Sequence, residues 1–321
     1  MKRRLVAGGL LLLAGLAACA GRPVRLIVVR SSLAQTVSLL GDTLYSLPLS
    51  GAEGPERAKN IDAARAAVAR DSTDVNARLR LARSTADLGE LREAVALYNR
   101  IAEVHFDNPR VFRERGEVLL RLRLLDRAIA DLRQAGLLAI GRPPILEAES
   151  SLEGAGGFTT VQFRAFFYQG VALYCKGDHA AAYAVLAEAA RVSQTTDDRA
   201  RAILWLFFAA RRLGDGREGA NVLALVQEDW AQRSDLPELA LLFAFKGLVA
   251  SDSLRAWAQT RRDEEGTLYS YALAYSLMVR PDRTADAELW LLQAHSGTNW
   301  AAMAYLAAEA DLARLRGIPR R

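Results

Sequence analysis

The sequence predicts an all-α fold, a right-handed α-solenoid of about five to six helical hairpins, some degenerate, with capping helices. Three observations predict it. Small residues and one large apolar residue recur at fixed offsets within a 34-residue period. Glycine or aspartate stands where paired helices must turn. Strand-like alternation is nearly absent, apart from Leu26 to Val29. A helical hairpin cannot bury its apolar face alone, so stacked neighbours build one continuous core.

Residues 1–18 read as an export segment. Met1 to Arg4 is short and positive, and Leu5 to Ala18 is apolar but shorter than the roughly twenty residues that span a bilayer. The segment ends Leu16-Ala17-Ala18-Cys19, which resembles a bacterial lipobox. That resemblance implies diacylation of the Cys19 sulfur, cleavage before Cys19 and acylation of its new amino group. Two or three acyl chains, at about 0.8 kcal/mol per buried methylene, anchor a chain firmly. Ordinary cleavage is the alternative, because Ala18-Cys19-Ala20 satisfies the A-x-A rule and would release a chain starting at Gly21. In lipoproteins of this kind, the absence of Asp after the lipidated cysteine implies the outer membrane. Here Ala20 holds that position.

Residues 19–56 are expected to be the lipidated cysteine and a tether, with docking onto the first repeat as the alternative. Leu26 to Leu49 reads as a helix followed by a turn, with Gly41-Asp42 and the Ser46–Gly54 run as breakers. Residues 57–142 hold a capping half-repeat and two repeats. Arg57 to Arg70 alternates alanine and charge, as the polar end of an array requires. Val75 to Asn108 places Ala82, Gly89, Ala94 and Tyr98 at offsets 8, 15, 20 and 24. Pro109 to Arg142 places Gly116, Ala128, Leu132 and Ala135 at offsets 8, 20, 24 and 27, with Pro109 suited to a first turn.

Residues 143–162 interrupt the period with two prolines and a glycine-rich run, and read as a tolerated insertion or a functional loop. Residues 163–321 resume it. From Phe163, Gly170, Gly177, Ala182, Leu186 and Ala189 fall at offsets 8, 15, 20, 24 and 27. A fourth unit follows from about Ala200, with Gly214-Asp215 as its turn and Gly219 or Ala220 at the close-packing position. A degenerate fifth starts at Leu236 and a sixth at Leu268. Asn299 to Gly317 reads as a final amphipathic helix capped by Asn299. These offsets are those of a tetratricopeptide repeat (TPR).

Composition narrows the function classes. The formal charge is +5, and removal of Lys2, Arg3 and Arg4 with the export segment leaves +5 − 3 = +2, which gives little reason for nucleic-acid binding. The two cysteines, Cys19 and Cys175, make no disulfide framework or zinc site. Only His105, His179 and His295 are present, without metal-ligand spacing, and no hydrolase or phosphate-loop signature occurs. Cys175 and His179 read as structural, and Glu147, Glu149 and Glu153 as a solvated acidic run. No cofactor, metal or catalytic residue is assigned, and an enzyme ranks below both binding classes.

TPR arrays bind peptides or helices along the concave face of their first helices, at offsets of roughly 2, 5, 9, 12 and 13. In the second unit these offsets give Arg110, Arg113, Glu117, Leu120 and Arg121, and in the third Arg164, Phe167, Val171, Tyr174 and Cys175. The candidate groove is therefore Arg110, Arg113, Arg121, Arg164, Phe167 and Tyr174, suited to an acidic, partly apolar segment. The alternative is a solvated basic face. The two-carboxylate clamp of chaperone-binding TPR domains does not fit, because its positions here are Leu79, Arg83, Glu114, Arg164 and Tyr168. A small-molecule or glycan site would use Phe158, Phe166, Phe167 and Tyr168 beside the loop.

The lipobox, the repeats from Val75 to Ala190, Trp205-Leu206 and the later Phe243–Gln259 and Tyr271–Ala294 units resemble bacterial TPR lipoproteins. The likeness is to envelope scaffolds of the new-lipoprotein I type. It implies a lipid-anchored, non-enzymatic scaffold facing the periplasm and docking other envelope proteins. A part in outer-membrane protein assembly is a second expectation from the same class. The Pro143–Val161 insertion departs from the pattern.

Overall fold

A computed structural model describes residues 33–46, 53–148, 158–214, 216–232, 234–261 and 263–319. The export segment, Cys19, and the Glu149 and Glu153 positions lie outside the described residues. Among those residues the chain is an all-α solenoid. Helix α1 (Glu53–Arg70) precedes six helical hairpins: α2 (Val75–Asp87) with α3 (Leu91–Val104), α4 (Pro109–Arg121) with α5 (Leu125–Ala139), and α6 (Val161–Lys176) with α7 (His179–Val192). Then come α8 (Thr196–Arg212) with α9 (Gly216–Ala224), α10 (Pro237–Lys246) with α11 (Ser251–Thr260), and α12 (Glu264–Met278) with α13 (Thr284–His295). A last helix, α14, spans Met303–Leu315.

The repeating offsets have a direct packing cause. A Cβ on Gly116 would sit 2.6 Å from Leu132 Cγ, and one on Gly170 would meet Leu186 more closely still. The small residue thus lets two helices approach, and the large residue opposite fills the space. Ala82 and Tyr98 occupy the equivalent places in the first hairpin, and both are fully buried. The helix starts follow local chemistry. Asp74, Asn108, Thr160, Asp178 and Thr195 each accept a backbone N–H as N-caps. Gly177 takes φ +84° at the third turn. In the fourth unit Gly219 holds the close-packing position, against Arg211 and Phe207, while Ala220 is exposed.

Three expectations are corrected. Residues 33–46 form a β-hairpin rather than a helix and free tether: β1 (Ala34–Val37) pairs antiparallel with β2 (Thr43–Tyr45), turning through Gly41 at φ +100°. Alternation decides this, since Gln35 and Leu44 are buried while Ala34, Val37, Thr43 and Tyr45 are exposed. The hairpin docks widely. Thr36 Oγ1 donates to the Leu122 carbonyl at 2.6 Å, the Arg92 N–H donates to Gln35 Oε1, and Trp300 Nε1 donates to the Tyr45 carbonyl at 2.8 Å.

The second correction concerns the insertion. Its two ends pair as an antiparallel hairpin, β3 (Leu146–Ala148) with β4 (Phe158–Thr160), and α6 begins at Val161, two residues before the expected start.

The third concerns the last helix. It starts at Met303, not beside Asn299, whose side chain instead accepts the Ala301 N–H in the preceding turn. Nor is it amphipathic. Every residue from Ala304 to Ala313 is buried, including Glu309 and Asp311. First helices of consecutive hairpins pack on one another and form the inner wall, and α14 lies within that wall against α6 and α12.

Candidate functional site

The inner wall carries the candidate groove residues, and its geometry divides into three parts. The first is an ionic cluster under the β3–β4 hairpin. Arg113 on α4 meets Glu147 of β3 at 2.6 Å, Glu117 at 2.9 Å and Glu114 at 3.3 Å. Arg110 donates to the Leu146 carbonyl at 2.9 Å, Arg164 lies 4.0 Å from Glu147, and Arg121 meets Glu117 at 2.6 Å. Tyr98 donates to Glu114, which Arg83 also pairs.

The structure thus brings Arg110, Arg113, Arg121 and Arg164 together, but Arg113, Arg121 and Arg164 lie on the chain's own carboxylates and Arg110 on a backbone carbonyl. Glu147 is not a solvated residue; it is 7% exposed and holds two of these arginines. Burial works against the Glu117 carboxylate, but Arg121, Arg164 and Arg113 outweigh it and lower its pKa to about 2. Glu114 also accounts for the missing chaperone clamp, since an acid stands where that clamp needs a carboxylate-binding amide.

The second part is occupied by α14. Arg212 on α8 pairs with Asp311 at 2.7 Å, and Tyr271 on α12 donates to the same carboxylate at 3.1 Å. The Tyr174 and Tyr271 hydroxyls share a hydrogen bond of 2.6 Å, and Arg314 donates to the Cys175 carbonyl at 2.9 Å. Tyr174 is therefore sealed beneath the last helix. Burial pushes the Cys175 thiol up to about 12, as an inert core cysteine requires.

At the other edge Arg123, in the turn after α4, pairs with Glu309 at 2.7 Å and donates to the Trp300 carbonyl at 2.8 Å. The Leu39 N–H of the β1–β2 hairpin also donates to Glu309. Arg123 does this from a left-handed backbone, φ +63°, where the first and third turns use Gly89 and Gly177. Helix, hairpin and turn close the array on itself.

The third part is a cavity of about 360 Å³ that remains along the inner wall. Phe163, Phe167 and Tyr168 of α6 and Trp205 of α8 line one side, with Phe163 and Phe167 stacked at 5.5 Å between centroids. Arg57, Arg121, Arg164 and Arg201 enter it, as do Asp87, Asp198, Glu238, Glu264 and Glu265. Residues 299–304, the turn before α14 and the first two residues of that helix, complete the wall. Desolvation comes first among the causes that raise the carboxyl pKa values of Asp87, Glu238 and Glu264.

Of the four aromatics expected beside the insertion, only Phe167 and Tyr168 line this cavity. Phe166 packs over Gly136 of α5, and Phe158 is exposed. Sequence reasoning missed Glu238, Glu264 and Arg201, which come from later hairpins and reach the site only through the curl of the array. It also missed Arg123, Glu309 and Asp311. Two acids in the alanine-rich run Met303–Leu315 were the available signal, because a helix with so little polar surface must bury them.

No protein-family model matches the chain, and no curated protein matches its sequence. Among solved structures it is similar to a tetratricopeptide repeat protein from Parabacteroides merdae, at 14% identity and a TM-score of 0.47, covering 81% of this chain and 94% of that one. MamA is similar at 14% identity and a TM-score of 0.41, over 63% of this chain and 100% of the other. The APC/C Cut9–Hcn1 hetero-tetramer contains a chain at 12% identity and 0.44, over 82% and 53%. The class rests on the hairpin geometry above: an all-α solenoid of TPR-type helical hairpins. Its inner groove is filled in part by its own last helix.

Proposed function

We propose that this chain is a non-enzymatic, protein-binding scaffold of the cell envelope. It is anchored through lipidated Cys19, faces the periplasm from the outer membrane, and engages its partner at the inner-wall cavity rather than along an open groove. The observation that carries the reading is the division of the inner wall. Its arginine face is neutralised by Glu114, Glu117 and Glu147, and its next stretch is covered by α14. The cavity remains, with aromatic walls and charged groups of both signs. The lipobox supports the anchor, and no helix among the described residues is long and apolar enough to cross a membrane.

The geometry also selects the variant for the test. Charge reversal at Arg113 would strand Glu147 and Glu117 in the interior and report on folding. Leu236 lines the cavity at partial exposure, so Leu236→Trp fills it with less disturbance. Affinity capture from gently solubilised envelopes is expected to give a reproducible partner with the native chain and lose it with Leu236→Trp. A partner retained by that variant refutes the cavity as the docking site. A Cys19→Ser chain that stays in the membrane fraction refutes the lipid anchor.

The aromatic wall of the cavity also suits a second reading, a small-molecule or glycan module, which the same variant would block.

A further inference from the structure

The outward face of the β1–β2 hairpin is apolar. Leu33, Val37 and Tyr45 are 55%, 46% and 51% exposed, with Ala34 and Thr43 beside them. The register makes these residues one patch: Ala34 stands opposite Tyr45, and Val37 opposite Thr43. The register shift between Ala34 and Thr36 is what lets Ala34 and Val37 share a face. Asp42, at the turn, is the one charged residue in 33–46. The other side of the ribbon is fixed to the array through Thr36 to Leu122 and Gln35 to Arg92, so the patch is held outward.

Apolar exposure alone does not single out this face. Phe106 is 70% exposed at the other end of α4, about 20 Å along that helix. What singles out the ribbon is the chain that leads into it. Ala20 to Ser32 joins Cys19 to Leu33 and lies outside the described residues. It holds Arg22, Arg25 and Arg30 and no acid. Fully extended it reaches roughly 50 Å, and a basic segment beside a lipid anchor is attracted to anionic headgroups. Both features keep Leu33 near the surface that holds Cys19.

We propose that the β1–β2 hairpin is a second membrane contact, with Leu33, Val37 and Tyr45 resting in the bilayer interface. Tyrosine suits that position, because its ring is apolar and its hydroxyl stays wet. Three half-exposed side chains bind more weakly than one acyl chain, which alone anchors only marginally. The contact therefore orients an anchored chain and does not retain a Cys19→Ser chain in the membrane. Trp300 lines the cavity and donates to the Tyr45 carbonyl, so this orientation sets the cavity beside the bilayer. The inference rests on the lipid anchor proposed above.

The test reconstitutes the full lipidated chain in vesicles of phosphatidylethanolamine and phosphatidylglycerol. An environment-sensitive fluorophore is attached at Val37→Cys, Tyr45→Cys or Phe106→Cys, all exposed positions, while Cys175 is buried and stays unlabelled in the folded chain. Flotation with the vesicles reads the anchor, and quenching by brominated acyl chains reads the contact. Labels at Val37 and Tyr45 are expected to shift to the blue and lose fluorescence to the brominated lipid, and the Phe106 label to do neither. A chain that floats with the Val37 and Tyr45 labels in water refutes the contact and leaves the anchor standing. A chain that does not float refutes the anchor and the contact with it. A blue shift without lipid quenching that grows with protein density would seat a second copy on the ribbon and overturn the proposal.

Discussion

Replacing Arg123 with glycine sets two effects against each other at the turn of the second hairpin. The native residue holds φ +63°, which costs a non-glycine side chain about 1–2 kcal/mol. Glycine removes that cost. The same change deletes a guanidinium that is buried with Glu309 at 2.7 Å and bonded to the Trp300 carbonyl at 2.8 Å. Removing one partner of a buried ion pair costs about 3–5 kcal/mol, because the other charge is left uncompensated. Subtracting the first from the second leaves a net loss of about 1–4 kcal/mol. Arg123→Ala keeps the backbone strain and loses the pair, so it should fall below the glycine variant.

An array can open in parts, so the assay must be local. Amide hydrogen exchange over residues 303–315 meets this requirement. At about 1.4 kcal/mol per factor of ten, exchange there should accelerate at least about fivefold in Arg123→Gly, and further in Arg123→Ala. Unchanged or slower exchange in the glycine variant would show that the Arg123–Glu309 pair does not hold α14.

Three further predictions follow from packing, charge and burial. Gly170→Ala presses a methyl into Leu186 and should cost about 1–3 kcal/mol of stability in urea unfolding, whereas a neutral result would deny the close helix approach. The Glu117 carboxyl has a folded pKa of about 2 against an ordinary 4.5. Because the folded value is the lower one, its contribution is complete above about 4.5 and lost as pH falls from there toward 2. The urea midpoint should therefore fall more steeply across that window in the native chain than in Glu117→Gln, and parallel profiles would contradict the pairing. Finally, Cys175 is 2% exposed with its thiol pushed up to about 12, so in a Cys19→Ser chain at pH 8 maleimide should label it only on unfolding. Prompt labelling would mean that the α6–α14 contact opens readily.

The repeat architecture was legible because the packing rule is local. Gly116 with Leu132, and Gly170 with Leu186, each sit within one unit, so a fixed offset reports a fixed contact. The closure of the array was not legible, because its contacts join residues far apart in the chain. Arg123 to Glu309 and Arg212 to Asp311 have no periodic signature. Helical offset groups Arg110, Arg113, Arg121 and Arg164, which lie on α4 and α6, but the carboxylate that meets Arg113 and Arg164 comes from Glu147. That residue read as solvated because nothing local shows that β3 folds back onto α4. The β1–β2 hairpin was missed for a similar reason, since a short alternating run beside a glycine gains its meaning only from the surface it docks against.

The measurement closest to the central claim is photocrosslinking from two positions of the intact chain in cells, Met303 in the cavity wall and Leu289 on α13, which is 65% exposed. A photoreactive residue at Met303 should capture a defined partner, peptide or protein, and Leu289 should not. A partner captured from Leu289 and never from Met303 would place binding on the outer surface and contradict the account.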